Sequence, residues 1–108
     1  MATRKAPAAQ TAGASDRPDF EVVGDELVCH PYGDLRLSLV ISMSNYQSFL
    51  DINDTASTSH EQIARWKGIM PPEVVDAIDR EAERDFAAGF TLARQWANGL
   101  DVRLGKAL

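Results

Sequence analysis

Leu35-Arg36-Leu37-Ser38-Leu39-Val40-Ile41-Ser42-Met43-Ser44-Asn45-Tyr46-Gln47-Ser48-Phe49-Leu50 is the stretch in which the chain changes its period. Leu35, Leu37, Leu39 and Ile41 alternate with Arg36, Ser38 and Val40, the two-residue period of a strand with one face on a core. After Ser42 the spacing becomes helical: Tyr46, Phe49 and Leu50 fall on one face, and Ser44 with Gln47 three residues on reads as a capping box. A strand pattern that gives way to a helical one predicts an α+β fold, strands first and helices after.

Toward the N-terminus, residues 19–23 and 26–29 are rich in β-branched and aromatic side chains, joined by Gly24-Asp25. Gly24 supplies the positive φ wanted at the first centre of a two-residue hairpin turn. His30-Pro31-Tyr32-Gly33 turns the chain again, with Pro at a preset φ and Gly at the exit. The expectation is a small antiparallel meander of about three strands within residues 19–41.

Toward the C-terminus, a first helix is expected at about 44–53. Asp54-Thr55-Ala56-Ser57-Thr58 reads as a loop that ends at a second capping box, Ser59 with Gln62, opening a helix at about 59–70 with Ile63, Trp66 and Met70 inward. Pro71-Pro72 stops it and starts the next. From 72 to 104 apolar residues recur at Val74, Val75, Ile78, Ala82, Phe86, Phe90, Ala93, Trp96, Leu100 and Leu104. Gly89 and Asn98-Gly99 are the weak points, so this run is one helix or two, making three to four helices in all.

Residues 1–17 contain no aromatic or large aliphatic residue after Met1 and read as a disordered basic arm. Residues 18–108 then form a single α+β domain. The chain of 108 residues carries 11 basic and 16 acidic residues, net −5. The arm holds Arg4, Lys5 and Arg17 against Asp16, net +2, so the remainder holds 8 basic and 15 acidic groups, net −7. Such a surplus repels nucleic-acid phosphates and anionic lipid, and no nucleic-acid or membrane partner is expected.

No stretch is apolar enough for a membrane span or a signal peptide, and the single Cys29 fits a reducing compartment. A soluble cytosolic protein is expected, which makes the Asn53-Asp54-Thr55 glycosylation triplet a chance match. Cys29 and His30 are neighbours whose side chains point to opposite faces of a strand, so Cys29 reads as a buried apolar residue rather than a nucleophile. One Cys and two His provide no spaced ligand set for a metal. Asp76, Asp79 and Glu83 at i, i+3 and i+7 interleave with Arg80 and Arg84 and read as a solvated helix face. Neither a catalytic site nor a cofactor is expected, and an enzyme is the least favoured class.

The aromatic C-terminal run remains. Phe86 and Phe90 read as core packed on the sheet. From Trp96 onward, a helix rising about 1.5 Å per residue outruns a small sheet and offers an apolar surface. The expected partner-binding residues are Trp66, Phe90, Trp96, Leu100 and Leu104.

In order, the Met1-Ala2-Thr3-Arg4-Lys5 opening, the Phe20-Glu21-Val22-Val23-Gly24-Asp25-Glu26-Leu27 hairpin, a leucine-rich segment, Met70-Pro71-Pro72-Glu73-Val74-Val75-Asp76-Ala77-Ile78, and a closing aromatic helix through Leu92-Ala93-Arg94-Gln95-Trp96 cover most of residues 19–106. This pattern resembles the tail assembly chaperones of long-tailed, siphovirus-like bacteriophages of actinobacterial hosts. The resemblance implies a non-catalytic role in the host cytoplasm: binding the tape measure protein, keeping it soluble and assisting the tail tube protein to polymerise around it. It further implies a programmed frameshift over Gly105-Lys106, with this chain as the short product and a longer form of itself as a partner. A homo-oligomer fits the same role. The alternatives are a small phage structural protein of the tail or connector, or an acidic helix-turn-helix-like regulator using Arg65 and Lys67.

Overall fold

Glycine at position 24 takes φ 64°, closing a two-residue turn between β1 (Phe20–Val23) and β2 (Glu26–Cys29), with Val23 opposite Glu26. The computed structural model describes residues 18–105. The arm expected over 1–17 lies outside the described residues, as do residues 106–108. After β2 a single 3-10 turn, His30–Tyr32, leads through Gly33 and Asp34, both left-handed (φ 69° and 58°), into β3 (Leu35–Ser38). Aspartate is among the few non-glycine residues that accept this conformation. The sheet is antiparallel in the order β1-β2-β3, and Leu27 pairs with Leu37 on its inner face. On the outer face Val28, itself buried, pairs with Glu21 and Arg36 of the neighbouring strands. The ladder ends at Ser38, earlier than the alternation predicts, although Leu39 still turns fully inward.

Four helices follow: α1 (Met43–Thr55), α2 (Ser59–Trp66), α3 (Pro72–Arg84) and α4 (Phe86–Gly105). The fold is thus α+β, as the change of period predicts, and α3 opens at Pro72 as expected, but the caps of α1 and α2 differ from expectation. Ser42, not Ser44, caps α1, its hydroxyl accepting from the Asn45 N–H at 3.1 Å. Thr58, not Ser59, caps α2: it accepts from the Glu61 N–H at 3.0 Å while the Glu61 carboxylate accepts from the Ser57 N–H. Each upstream hydroxyl residue is in extended backbone, the geometry a cap needs, and so takes the role from its neighbour. Helix α2 also stops at Trp66 rather than near 70, where Gly68 and Met70 bond back to Arg65 and Trp66 in tight turns.

The long apolar run is two helices. The break is at Asp85, in extended conformation, and not at the expected weak points: Gly89 and Asn98-Gly99 both lie inside α4. The missing side chain of Gly99 lets α4 settle on Leu27 and Leu39. Around Phe49 the core closes, its ring 5.8 Å from Trp66 in a stacked arrangement and 6.1 Å from Trp96 edge-on. Both indoles are hydrogen-bonded, Trp66 to the Asn53 side chain at 2.9 Å and Trp96 to the Ser38 carbonyl at 2.8 Å. Buried tryptophan retains its apolar contribution only when its N–H finds such a partner.

Candidate functional site

Burial decides first among the expected contact residues. Trp96 and Leu100 are 0% exposed and Trp66 4%, so these three belong to the core and present nothing to a partner. With α3 and the sheet packed against it, α4 is covered as far as Leu100, which corrects the expectation that the helix outruns the sheet. Leu104 is half-buried against the same core. Phe90 is also half-buried, and it lines an apolar hollow.

That hollow is a groove of about 200 Å³ between α2 and the α3–α4 junction. His60, Ile63, Ala64 and Lys67 form one wall, Ile78 and Ala82 the floor, and Phe86, Gly89 and Phe90 the other wall. Phe86, expected in the core, is instead 67% exposed at the mouth. Its ring lies 6.0 Å from that of Phe90, tilted by 42°.

The groove owes its shape to two neighbouring residues. Asp85 ends α3 by donating its N–H to the Glu81 carbonyl, and starts α4 by accepting from the Ala87 N–H on its carboxylate and the Ala88 N–H on its carbonyl. Beyond it α4 folds back so closely that a Cβ on Gly89 would stand 2.5 Å from the Ala82 Cβ and 3.1 Å from the Ile78 carbonyl oxygen. Phe86, in the first turn after this break, is turned away from the core that a continuous helix would have given it.

Charges around the groove are largely answered. Lys67 pairs with Asp79 of α3. Arg65 reaches Asp51 and Glu61, each at 3.6 Å, and donates to the Thr55 hydroxyl. The two cations that would mark a DNA-reading helix are therefore engaged with carboxylates of this chain. Asp76, Asp79 and Glu83 are exposed along α3, and Arg84 pairs with Glu81 at 2.8 Å.

Elsewhere, Cys29 is fully buried and its thiol is pushed up to about 11 by desolvation, the opposite of an activated nucleophile. The His30 ring nitrogens lie 2.7 Å from the Glu21 and 2.6 Å from the Asp34 carboxylate, tying β1 to the 3-10 turn. A second hollow, polar and about 490 Å³, lies between that turn and Glu81, Arg84 and Asp85. Among the described residues no group of three or more His, Cys, Asp or Glu is gathered to hold a metal, and no helix is long and apolar enough to cross a membrane.

Sequence reasoning placed Ile63 inward and Phe90 at a partner surface, and it missed Phe86, Ala64, Ala82 and Gly89 as parts of one site. The available signal was Asp85 itself, an N-cap residue type standing directly before Phe86-Ala87-Ala88. No family model, no curated protein and no solved structure matches this chain.

Proposed function

We propose that this protein is a non-catalytic assembly chaperone of the phage tail kind, binding the tape measure protein, keeping it soluble and assisting tail tube polymerisation. The observation that carries the reading is Phe86, an aromatic side chain 67% exposed over an apolar groove. Apolar surface of that kind on a small domain marks a contact site. The net charge of −7 on residues 18–108 suits a domain that must stay soluble while it holds an apolar client. The contact surface moves from the Trp96 end of α4 to its Phe86 end, with Phe90 common to both.

Co-expression with the tape measure protein of the same phage genome tests the proposal. The soluble fraction of that protein rises with the wild-type chain and falls back with Phe86→Ser. Equal solubility with and without the chain overturns the chaperone reading.

A further inference from the structure

We propose that His30 is a proton-held latch on the turn between β2 and β3: its charged ring ties Asp34 of that turn to Glu21 of β1, and loss of the ring proton releases Asp34. None of these residues lines the Phe86 groove, so the latch and the chaperone reading stand or fall separately.

The hydrogen bonds fix the charge of the ring. Nε2 meets a Glu21 carboxylate oxygen at 2.7 Å and Nδ1 an Asp34 carboxylate oxygen at 2.6 Å. A neutral imidazole has one N–H and would turn the lone pair of its other nitrogen on a carboxylate, whereas the imidazolium donates from both. Placing the proton on a carboxyl instead is less favourable at neutral pH, because a carboxyl releases it about two pH units below an imidazole. The His30 side chain is 17% exposed, and burial by itself favours the neutral form. Two charge-assisted bonds outweigh that penalty, so the folded chain keeps this proton to a higher pH than a free histidine, whose midpoint is about 6.5. The neighbouring charged groups are engaged with one another. On the same sheet face Arg36 pairs with Glu26 at 3.0 Å, and beyond the turn Arg84 pairs with Glu81 while the Asp85 carboxylate caps α4.

Anchoring decides which bond yields. The His30 N–H donates to the Asp19 carbonyl at 2.9 Å, and the Tyr32 ring lies 6.2 Å from that of Phe20, so this end of the turn stays on β1. Leu35 is held opposite Cys29. Between them Gly33 and Asp34 are left-handed, a conformation that strains an aspartate. Asp34 is 66% exposed against 37% for Glu21, so water replaces the ring more readily at Asp34. The neutral ring therefore keeps Glu21 and gives up Asp34. Pro31, Tyr32 and Gly33 wall the polar hollow of about 490 Å³ that faces Glu81, Arg84 and Asp85, so release of Gly33–Asp34 reshapes it. The latch holds fully from above the carboxylate range to about pH 6.5, and is lost as pH rises through the higher midpoint of the folded protein.

The test is an NMR titration of the full chain carrying His60→Gln, which leaves His30 as the single histidine. Its ring is expected to titrate about one pH unit or more above 6.5, with both nitrogens protonated at neutral pH. The Gly33 and Asp34 amides should shift with the same midpoint. Asp34→Asn, which keeps a residue type that accepts left-handed backbone, should lower the ring's midpoint by about one unit and uncouple those amides from it.

A midpoint at or below about 6.5, or a ring with one N–H at neutral pH, overturns the latch. So do Gly33 and Asp34 amides that stay still while the ring titrates, which would make the two bonds structural only. Wild-type spectra assigned through the backbone give the same readings where a variant folds poorly.

Discussion

Trp96 donates its indole N–H to the carbonyl oxygen of Ser38 at 2.8 Å, joining residues 58 apart in sequence. The bond locks the middle of α4 to the end of β3, an edge strand of which Ser38 is the last residue paired with β2. It sits at the end of the Trp66–Phe49–Trp96 ring cluster, which holds α1, α2 and α4 together.

Trp96→Phe removes the donor, leaves the part-buried Ser38 carbonyl without its indole partner and shortens the ring. A loss of about 2–3 kcal/mol is expected in urea unfolding followed by circular dichroism. Trp66→Phe is expected to cost less, about 1 kcal/mol, because its acceptor is the side chain of the exposed Asn53, which water can satisfy. Equal losses would contradict this ranking.

Gly89→Ala would drive a Cβ into Ala82, whose backbone has nowhere to go. Overpacking of about 1–3 kcal/mol is expected, despite the gain of about 1 kcal/mol in helix propensity. Adding Ala82→Gly should recover part of the loss. At Gly99 the nearest atoms are the methyl ends of Leu27 and Leu39, at 3.2 and 3.4 Å, so Gly99→Ala is expected to be near neutral. Thermal unfolding of the three variants checks the set.

The two competing caps give a sharper test of helix starts. Ser42→Ala and Thr58→Ala are each expected to cost about 1 kcal/mol, whereas Ser44→Ala and Ser59→Ala are expected to change stability by less than about 0.5 kcal/mol. Chemical denaturation distinguishes them.

Cys29 makes the protein sensitive to alkali. Burial raises its thiol from 9.0 to about 11. Below pH 9 the thiol is protonated in both states and contributes no pH dependence. Between those values the unfolded chain has released the proton and the native one has not, so stability falls as pH rises from 9.0 to about 11, by at most about 1.4 kcal/mol per pH unit. Cys29→Ala should remove that slope. In the native protein at neutral pH, alkylation by iodoacetamide should proceed only through unfolding.

Phe86→Ser is expected to leave the unfolding midpoint nearly unchanged, within about 0.5 kcal/mol, because the ring is mostly in water. It should nevertheless raise solubility at high protein concentration. A loss of several kcal/mol would mean that Phe86 is structural.

The meander was legible because its signals are local: Gly24 needs a positive φ and takes one, and the alternation of Leu35 and Leu37 survives as burial. Helix starts slipped by one or two residues because Ser42 and Ser44, and Thr58 and Ser59, are chemically equivalent candidates, and only backbone geometry selects between them. The Asp85 break escaped because Ile78, Ala82, Phe86 and Phe90 stay four apart across it, so the period carries no trace of the interruption. The same concealment sent Phe86 to the core and left Trp96 on the surface, the reverse of where burial puts them.

Asp85 and Gly89 together make the elbow from which α4 returns along α3. One supplies an extended backbone and the other the lack of a Cβ, so the aperture of the groove is fixed by two positions that contribute no apolar side chain to what enters it. What the groove accepts can thus be retuned at the elbow while the apolar side chains that line it stay the same. A search for specificity confined to those side chains would overlook the residues that set their spacing.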